Sequence, residues 1–342
     1  MAKVVTFGEI MLRLSPPGFE RLFQSPLLSA TFGGGEANVA VSLSQFGLAS
    51  YYVTALPNNA IGDAAIKAIR AEGVRTEHIV RSGDRVGIYF AESGASQRAS
   101  TVIYDRASSS ISAMKPDAVD WAAVMDGASW FHVSGITPAL GANAAEATRR
   151  AITAARTAGV RVSVDLNYRK KLWTESRARE TMRPMMGEVD VVIANEEDLQ
   201  SVLGVHVEGA DVTGGKLEVD GFRVAAETVT RDFGPPIVAI TLRESVSASD
   251  NGWSAALWDS ATGTMHVSQR YDLRLVDRIG GGDSFAAGLI YGLVNRRSAE
   301  ASLRFAVAAS ALKQTIPGDF NRVSVEEVDR LAGGDASGRV QR

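Results

Sequence analysis

From Trp130 onward the chain alternates short apolar runs with longer Ala- and charge-rich stretches, and that alternation limits the fold more than any other feature. Trp130 to Val133, Val160 to Asp165 and Val189 to Ile193 have the apolar, β-branched character of buried strands. The stretches between them, Ala144 to Ala158 and Arg177 to Met186, carry helical periodicity. Strands joined through helices pair in parallel, because the crossover carries the chain back to the end from which it started. A parallel sheet is covered by helices on both faces, and its ligands lie outside the carboxyl ends of its strands. Those ends deliver Ser134-Gly135-Ile136, Asp165-Leu166-Asn167-Tyr168-Arg169 and Asn195-Glu196-Glu197-Asp198, all candidates for a cleft. Two plainer readings stand beside this one: Arg169 with Lys170 and Lys171 as a solvated basic helix start, and Asn195 as a helix N-cap. Val4 to Phe7, Tyr51 to Ala55 and Ile237 to Leu242 read as further strands.

Two glycine clusters each feed a helical run. Gly280-Gly281-Gly282-Asp283 precedes the apolar stretch Ser284 to Val294, and Gly33-Gly34-Gly35 precedes Ala37 to Phe46. A helix N-terminus presents N–H groups without intrahelical partners at the positive end of the macrodipole, and glycines let those donors close on an anion such as a phosphate. Asp283, at the mouth of the Gly280 to Gly282 cluster, is then expected to stay ionised and to take the proton of an attacking hydroxyl. The alternatives are a glycine turn with Asp283 as N-cap, and, for the first cluster, close packing of a helix start on a strand.

The pattern changes between residues 86 and 104. Val86 to Glu92 and Ser100 to Tyr104 alternate polar and apolar positions around Ser93-Gly94-Ala95-Ser96, which predicts an antiparallel hairpin. Tyr89 in it serves equally well as ordinary cross-strand packing. Residues 204–234 are mixed and Gly-rich, and their fold is left open; Trp253 to Trp258 with Thr264 to Val267 predicts another hairpin. Ser324 with Glu327 forms a capping box for a final helix, and residues 331–342 are expected to form a loose tail.

Composition removes whole classes of function. The 342 residues contain no cysteine, which excludes disulfides and thiolate chemistry and favours a cytoplasmic enzyme. His78, His132, His206 and His266 are scattered without metal-ligand spacing. The 36 basic and 39 acidic residues are mixed along the chain, leaving no footprint for nucleic acid or anionic lipid. No run approaches a membrane span, and the apolar start at Val4 is too short for a signal peptide. Gly33-Gly34-Gly35 lacks the spacing of a dinucleotide-binding fingerprint.

Asp277, Gly280, Gly282, Asp283, Phe285 and Gly288 match the C-terminal signature of the ribokinase-like (PfkB) carbohydrate kinases, and Gly34, Gly35 and Asn38 match the N-terminal one. Arg278 and Gly281 stand where that signature usually has Thr and Ala. The resemblance implies an α/β, ribokinase-like fold: a mostly parallel sheet with helices on both faces, plus a small β-sheet lid. It assigns residues 1–9, 32–84 and 108–330 to the α/β body, and 10–31 and 85–107 to the lid. It further implies that ATP and Mg2+ serve as co-substrate and metal. Asp283 would be the base, Gly280, Gly281 and Gly282 the anion hole, and Asn195, Thr241, Arg243, Gly280 and Gly282 the ATP contacts. Asp198 would hold Mg2+ through water. Sugar contacts would come from Gly34, Gly35, Asn38, Tyr89, Tyr104, Arg106, Arg169 and Asp283, and a homodimer is the default assembly.

Within that family Gly8 to Leu14, Tyr104-Asp105-Arg106, Asp165 to Arg169 and the turn around Asp319 resemble 2-keto-3-deoxygluconate kinases. The resemblance implies phosphorylation of a sugar acid whose carboxylate is gripped by Arg106 and Arg169, with Arg13 as a further candidate. A neutral-sugar kinase of fructokinase or ribokinase type, and a non-catalytic sugar or nucleotide sensor on the same fold, are the alternatives.

Overall fold

The computed structural model describes residues 1–208, 210–211, 216–217, 219–335 and 337–338. Nine strands among the described residues form the main sheet. Six are parallel, in the spatial order Ala49–Val53, Lys3–Phe7, Ala128–Ser134, Arg161–Asp165, Val191–Ala194 and Ile237–Ser245. Asp250–Asp259 continues the sheet antiparallel and carries Thr264–Val267 and Tyr271–Arg274 on its outer side. Tyr271–Arg274 has no counterpart in the sequence reading: four residues with two charges are too short and too polar to stand out.

The parallel strands are buried on both faces, as expected for a covered sheet. Val5, Phe7, Phe131, Val133, Val162 and Val164 point into one apolar cluster, and Val4, Trp130, Val191 and Ile193 into the other. Helices Ala142–Thr157 and Val219–Phe233 cover the first face; Gly35–Gln45, Gly281–Val294 and Ala299–Lys313 cover the second. The last two helices pack closely because their contact is lined by small residues. A Cβ on Gly288 would fall 2.8 Å from Ala306 Cα, and one on Gly292 would fall 2.6 Å from Ser302 Oγ. Gly288 thus owes its place in the signature to helix packing.

Strand ends differ from the sequence reading in one instructive place. Tyr51 to Ala55 is two elements: Ala49–Val53 in the main sheet, then Ala55–Leu56 paired with Val80–Arg81. Residues 204–234, left open above, contain a short hairpin of Ala210–Asp211 with Lys216–Leu217 and the helix Val219–Phe233. The expected tail 331–342 begins inside the final helix Val325–Ala332, and residues 336 and 339–342 lie outside the described residues. No helix among the described residues is long and apolar enough to cross a membrane.

A separate four-stranded sheet has the order Ser29–Gly33, Met11–Ser15, Gly87–Glu92, Thr101–Asp105. The hairpin predicted between residues 86 and 104 is its second half. Met11, Tyr89 and Ala91 turn one face of this sheet toward Ile279, so the small sheet rests on the glycine loop that starts helix Gly281–Val294.

Candidate active site

The chain switches direction in the main sheet beside Lys3–Phe7, whose neighbours lead away on opposite sides. A crevice opens there at the carboxyl ends of the strands, as such switch points require. It holds a cavity of about 310 Å³ lined by both glycine clusters, the small sheet and the strand ends. A wider groove of about 940 Å³ adjoins it, sharing Val102, Tyr104 and Arg169.

Helix Gly281–Val294 starts three residues earlier than the sequence suggested, which puts Asp283 in its first turn rather than before it. Gly280 is the cap, with φ +82°, and a Cβ there would lie 2.2 Å from the Asp319 carbonyl oxygen. This position requires glycine for its own geometry. Gly282 is different: a Cβ there meets nothing within 4 Å and points into the cavity. The donors also divide unevenly. The Gly281 N–H donates to the Arg278 carbonyl at 3.3 Å, while the N–H groups of Gly280, Gly282 and Asp283 have no acceptor among the described residues. The nest expected from Gly280, Gly281 and Gly282 is therefore built from Gly280, Gly282 and Asp283.

Asp283 faces the first cluster across the cavity. Asn38 donates from Nδ2 to Asp283 Oδ2 at 2.7 Å and accepts from the Gly34 N–H at 3.2 Å. Its amide thus ties the two nests together, and much of the hydrogen bonding expected for a sugar is committed to Asp283. Gly34 itself is packed hard, since a Cβ would sit 1.9 Å from the Glu9 carbonyl oxygen. The expectation that Asp283 stays ionised is corrected. Burial, eased by the Asn38 bond and reinforced by Glu36 and Asp319, pushes its carboxyl up to about 7. Such a group changes protonation at neutral pH, which suits a base better than a permanently charged carboxylate does.

More acids line the cavity. Asp165, at the end of its strand, is pushed well above the ordinary carboxylate range by burial, then by Asp198 and Asp283. Asp198 is pushed up to about 6 by burial, against N–H bonds from Asn195 and Tyr168. Both of its oxygens are engaged, with Tyr168 N at 2.8 Å and Asn195 N at 3.1 Å, in a reciprocal capping box with Asn195. Asn195 is accordingly the N-cap that the plainer reading gave, with its amide nitrogen still free to face the cavity. No group of three acids or histidines among the described residues is placed to hold a metal by protein ligands alone.

The cations are distributed differently from the expectation. Arg13 is buried between Asp277 and Asp319, at 2.7 Å from each, and those carboxylates hold its guanidinium charged despite burial. It is a structural cation. Arg106 gives Nε and Nη2 to Glu9 Oε2, so only Nη1 is uncommitted, and it lines the outer groove rather than the cavity. The reason is Glu9, 97 residues away in sequence, which nothing in the spacing announces. Tyr89 is buried and donates to Asp319 Oδ2 at 2.5 Å; Tyr104, at 5.9 Å ring to ring from it, is exposed to the cleft. Arg169 stands free, its Nη1 on the Tyr168 carbonyl, at the junction of cavity and groove. Arg243 and Arg278 line the same cavity. Loss of water contact and repulsion from Arg278 and Arg169 push Arg243 down to about 10. Thr241, beneath them, donates to the Ala194 carbonyl and also lines the cavity. Arg278, noted in the sequence only as a departure from Thr, brings the third unpaired guanidinium to this wall.

The profile of the pfkB family carbohydrate kinases matches residues 1–322. The chain belongs to that family. Its structure superposes on the crystal structure of 2-dehydro-3-deoxygluconokinase from Thermotoga maritima with a TM-score of 0.93 at 51% identity, covering 98% of this chain and 100% of that one. It is 36% identical to a 2-dehydro-3-deoxygalactonokinase of Haloferax volcanii over 340 residues, covering 98% of both chains. It is 27% identical to a 2-dehydro-3-deoxygluconokinase of Bacillus subtilis, covering 94% of this chain and 93% of that one. The small sheet and the parallel sheet with helices on both faces are the fold of this carbohydrate kinase.

The two outer glycines of the loop predict different failures. Gly280→Ala should destabilise the fold by about 1–3 kcal/mol, through its left-handed backbone and the clash with Asp319. Gly282→Ala should melt within about 0.5 kcal/mol of wild type yet lower kcat/KM for the nucleotide about tenfold, because its methyl enters the cavity. Thermal melts with steady-state kinetics check both. A Gly282→Ala enzyme with wild-type kinetics would show that no phosphate approaches this turn.

Proposed function

We propose that this kinase transfers the γ-phosphoryl group of ATP to the 6-hydroxyl of 2-keto-3-deoxygluconate. The observation that carries the reading is the pairing, in one cavity, of a carboxyl near neutral pKa with the unpartnered N–H groups of a helix N-terminus. Asp283 takes the proton of the sugar hydroxyl as its oxygen bonds to the γ-phosphorus and the bond to the β-phosphate oxygen breaks, leaving ADP. The N–H groups of Gly280, Gly282 and Asp283 face the charge that develops on the transferring group. Arg243, Arg278 and Asn195 bind the remaining phosphates, with Thr241 below them. The donor set fits Mg2+ held mainly by phosphate and water: Asp165 and Asp198 would hold it through water, and it would supply neutralisation of phosphate charge. The small sheet, docked on Ile279, acts as the lid that keeps water from the γ-phosphate.

The sugar acid is favoured over a neutral sugar by Arg169. It is the guanidinium at the sugar end of the cavity with no carboxylate partner among the described residues, and the free Nη1 of Arg106 lies across the adjoining groove. A substrate carboxylate there forms charge-assisted bonds, whereas fructose would leave Arg169 without a partner. The names of the three similar proteins given above point the same way and differ from one another only in the sugar's configuration.

Catalysis should follow the Asp283 carboxylate. Because burial raises its pKa, the active, deprotonated base is lost as pH falls, so kcat/KM should decline below about pH 7. Asp283→Asn should cut kcat by about 10²-fold or more while ATP binding persists. A flat profile from pH 5.5 to 8, or a variant retaining a tenth of wild-type kcat, would remove Asp283 from the base position.

Arg169→Ala should lower kcat/KM for the sugar acid by a factor equivalent to about 1.5–3 kcal/mol, with an unchanged melting temperature. Arg169 is the cleaner probe of the carboxylate, because truncating Arg106 also strands the buried Glu9. If sugar-acid kinetics were unaffected, the carboxylate would be read elsewhere.

A further inference from the structure

Lys313, the last residue of helix Ala299–Lys313, is a lysine with 0% of its surface exposed and no carboxylate within ion-pair distance among the described residues. Lysine is almost never buried without a partner. Its partners here are backbone carbonyls: Nζ donates to the oxygen of Gly318 at 2.6 Å, of Asp277 at 3.2 Å and of Ile316 at 3.5 Å. All three ammonium hydrogens are therefore used, which is the full donor capacity of the group. The carbonyls come from the two backbone segments that enclose the anion nest, Asp277 at its entrance and Ile316 to Gly318 beneath it. The same segments are joined again by the Gly318 N–H to Asp277 Oδ2 at 3.0 Å and by the Val276 and Asp277 N–H groups to the Gln314 carbonyl. Lys313 Cε lies 3.2 Å from where a Gly280 Cβ would be, so the ammonium stem forms the floor of the nest. A ring of backbone carbonyls converging on one buried monovalent charge is the coordination that a potassium ion takes when carbonyls replace its water.

We propose that Lys313 is a tethered monovalent cation: its ammonium fills a carbonyl cage and holds the Asp277 to Gly282 loop with its free N–H groups aimed into the cavity. It touches neither sugar nor phosphate, and acts on phosphoryl transfer by positioning the nest. Burial lowers the pKa of this lysine, and Asp277, Asp319 and Asp283 oppose that shift by favouring the charged ammonium. The inference rests on the phosphate-binding reading of the nest and extends it: the cage is already occupied by the chain itself, so turnover needs no added potassium.

The experiment compares wild type, Lys313→Ala and Lys313→Met in choline, potassium and methylammonium chloride. Wild-type kcat should be the same within twofold in all three salts. In choline Lys313→Ala should lose about tenfold or more in kcat and in ATP affinity, and recover most of both when methylammonium or potassium refills the cage. Lys313→Met, which fills the space without charge, should stay slow in every salt. Wild-type dependence on potassium would overturn the proposal, as would a folded Lys313→Met with normal kcat. If the variants fail to fold and no cation restores them, Lys313 is a structural cross-link only and the proposal falls. ATP affinity measured calorimetrically without sugar keeps the two readings apart: the Lys313 inference is decided by it even if no sugar acid is phosphorylated.

Discussion

The buried pairing of Arg13 with Asp277 and Asp319 is the interaction on which the rest of the site depends. Arg13 belongs to the small sheet, Asp277 opens the glycine loop, and Asp319 follows the last helix of the sheet's second face. One guanidinium therefore joins the small sheet to two segments 264 and 306 residues away in sequence. In a buried network of this kind, loss of one partner leaves an uncompensated charge that costs about 3–5 kcal/mol, so all three parts are held in a single arrangement. Asp277 then distributes that rigidity: its carboxylate accepts the N–H groups of Ile279 and Gly318, and its carbonyl accepts from Lys313. Asp319 does the same toward the small sheet through Tyr89. The anion nest is stiff because its borders are tied by charge rather than because its glycines are.

The charge balance of the cavity follows from that framework. Burial raises the carboxyls of Glu36, Asp165, Asp198 and Asp283, and repulsion adds to it at Asp165, from Asp198 and Asp283, and at Asp283, from Glu36 and Asp319. With Asp283 pushed up to about 7 and Asp198 to about 6, part of this acid charge is absent near neutral pH, while the guanidinium groups of Arg169, Arg243 and Arg278 line the same cavity. A cavity that looks acidic by count is thus receptive to polyanions. Glu36 is fixed by Ser134 and Thr137 and Asp198 by its capping box, whereas Asp283 beside the nest commits only Oδ2, to Asn38, among the described residues.

Much of this was legible in the sequence, for a definite reason. Strand and helix periodicities are local, and so are glycine clusters before apolar runs; Gly34, Asn38, Gly280, Gly282 and Asp283 do converge on one cavity. What escaped was every property set by a distant partner. Nothing near Arg13 or Arg106 shows that Asp319 and Glu9 will claim them, and nothing near Lys313 shows that its ammonium will be caged by carbonyls. The unequal roles of Gly280 and Gly282 were hidden likewise, because one meets the backbone of Asp319 and the other meets open space. Arg278 carried a readable signal in the form of a basic residue where the family signature has Thr, and the cavity gives that departure a setting.

Phosphorylation of a sugar acid at its 6-hydroxyl is the activity proposed for the cavity. The most direct measurement supplies ATP with 2-keto-3-deoxygluconate, its galacto epimer, fructose and ribose, and locates the phosphate in each product by phosphorus NMR. The account predicts that a keto-deoxy sugar acid is the preferred acceptor by kcat/KM and that the phosphate sits on its 6-oxygen. Faster turnover of fructose or ribose, or a phosphate attached elsewhere on the sugar acid, would contradict it.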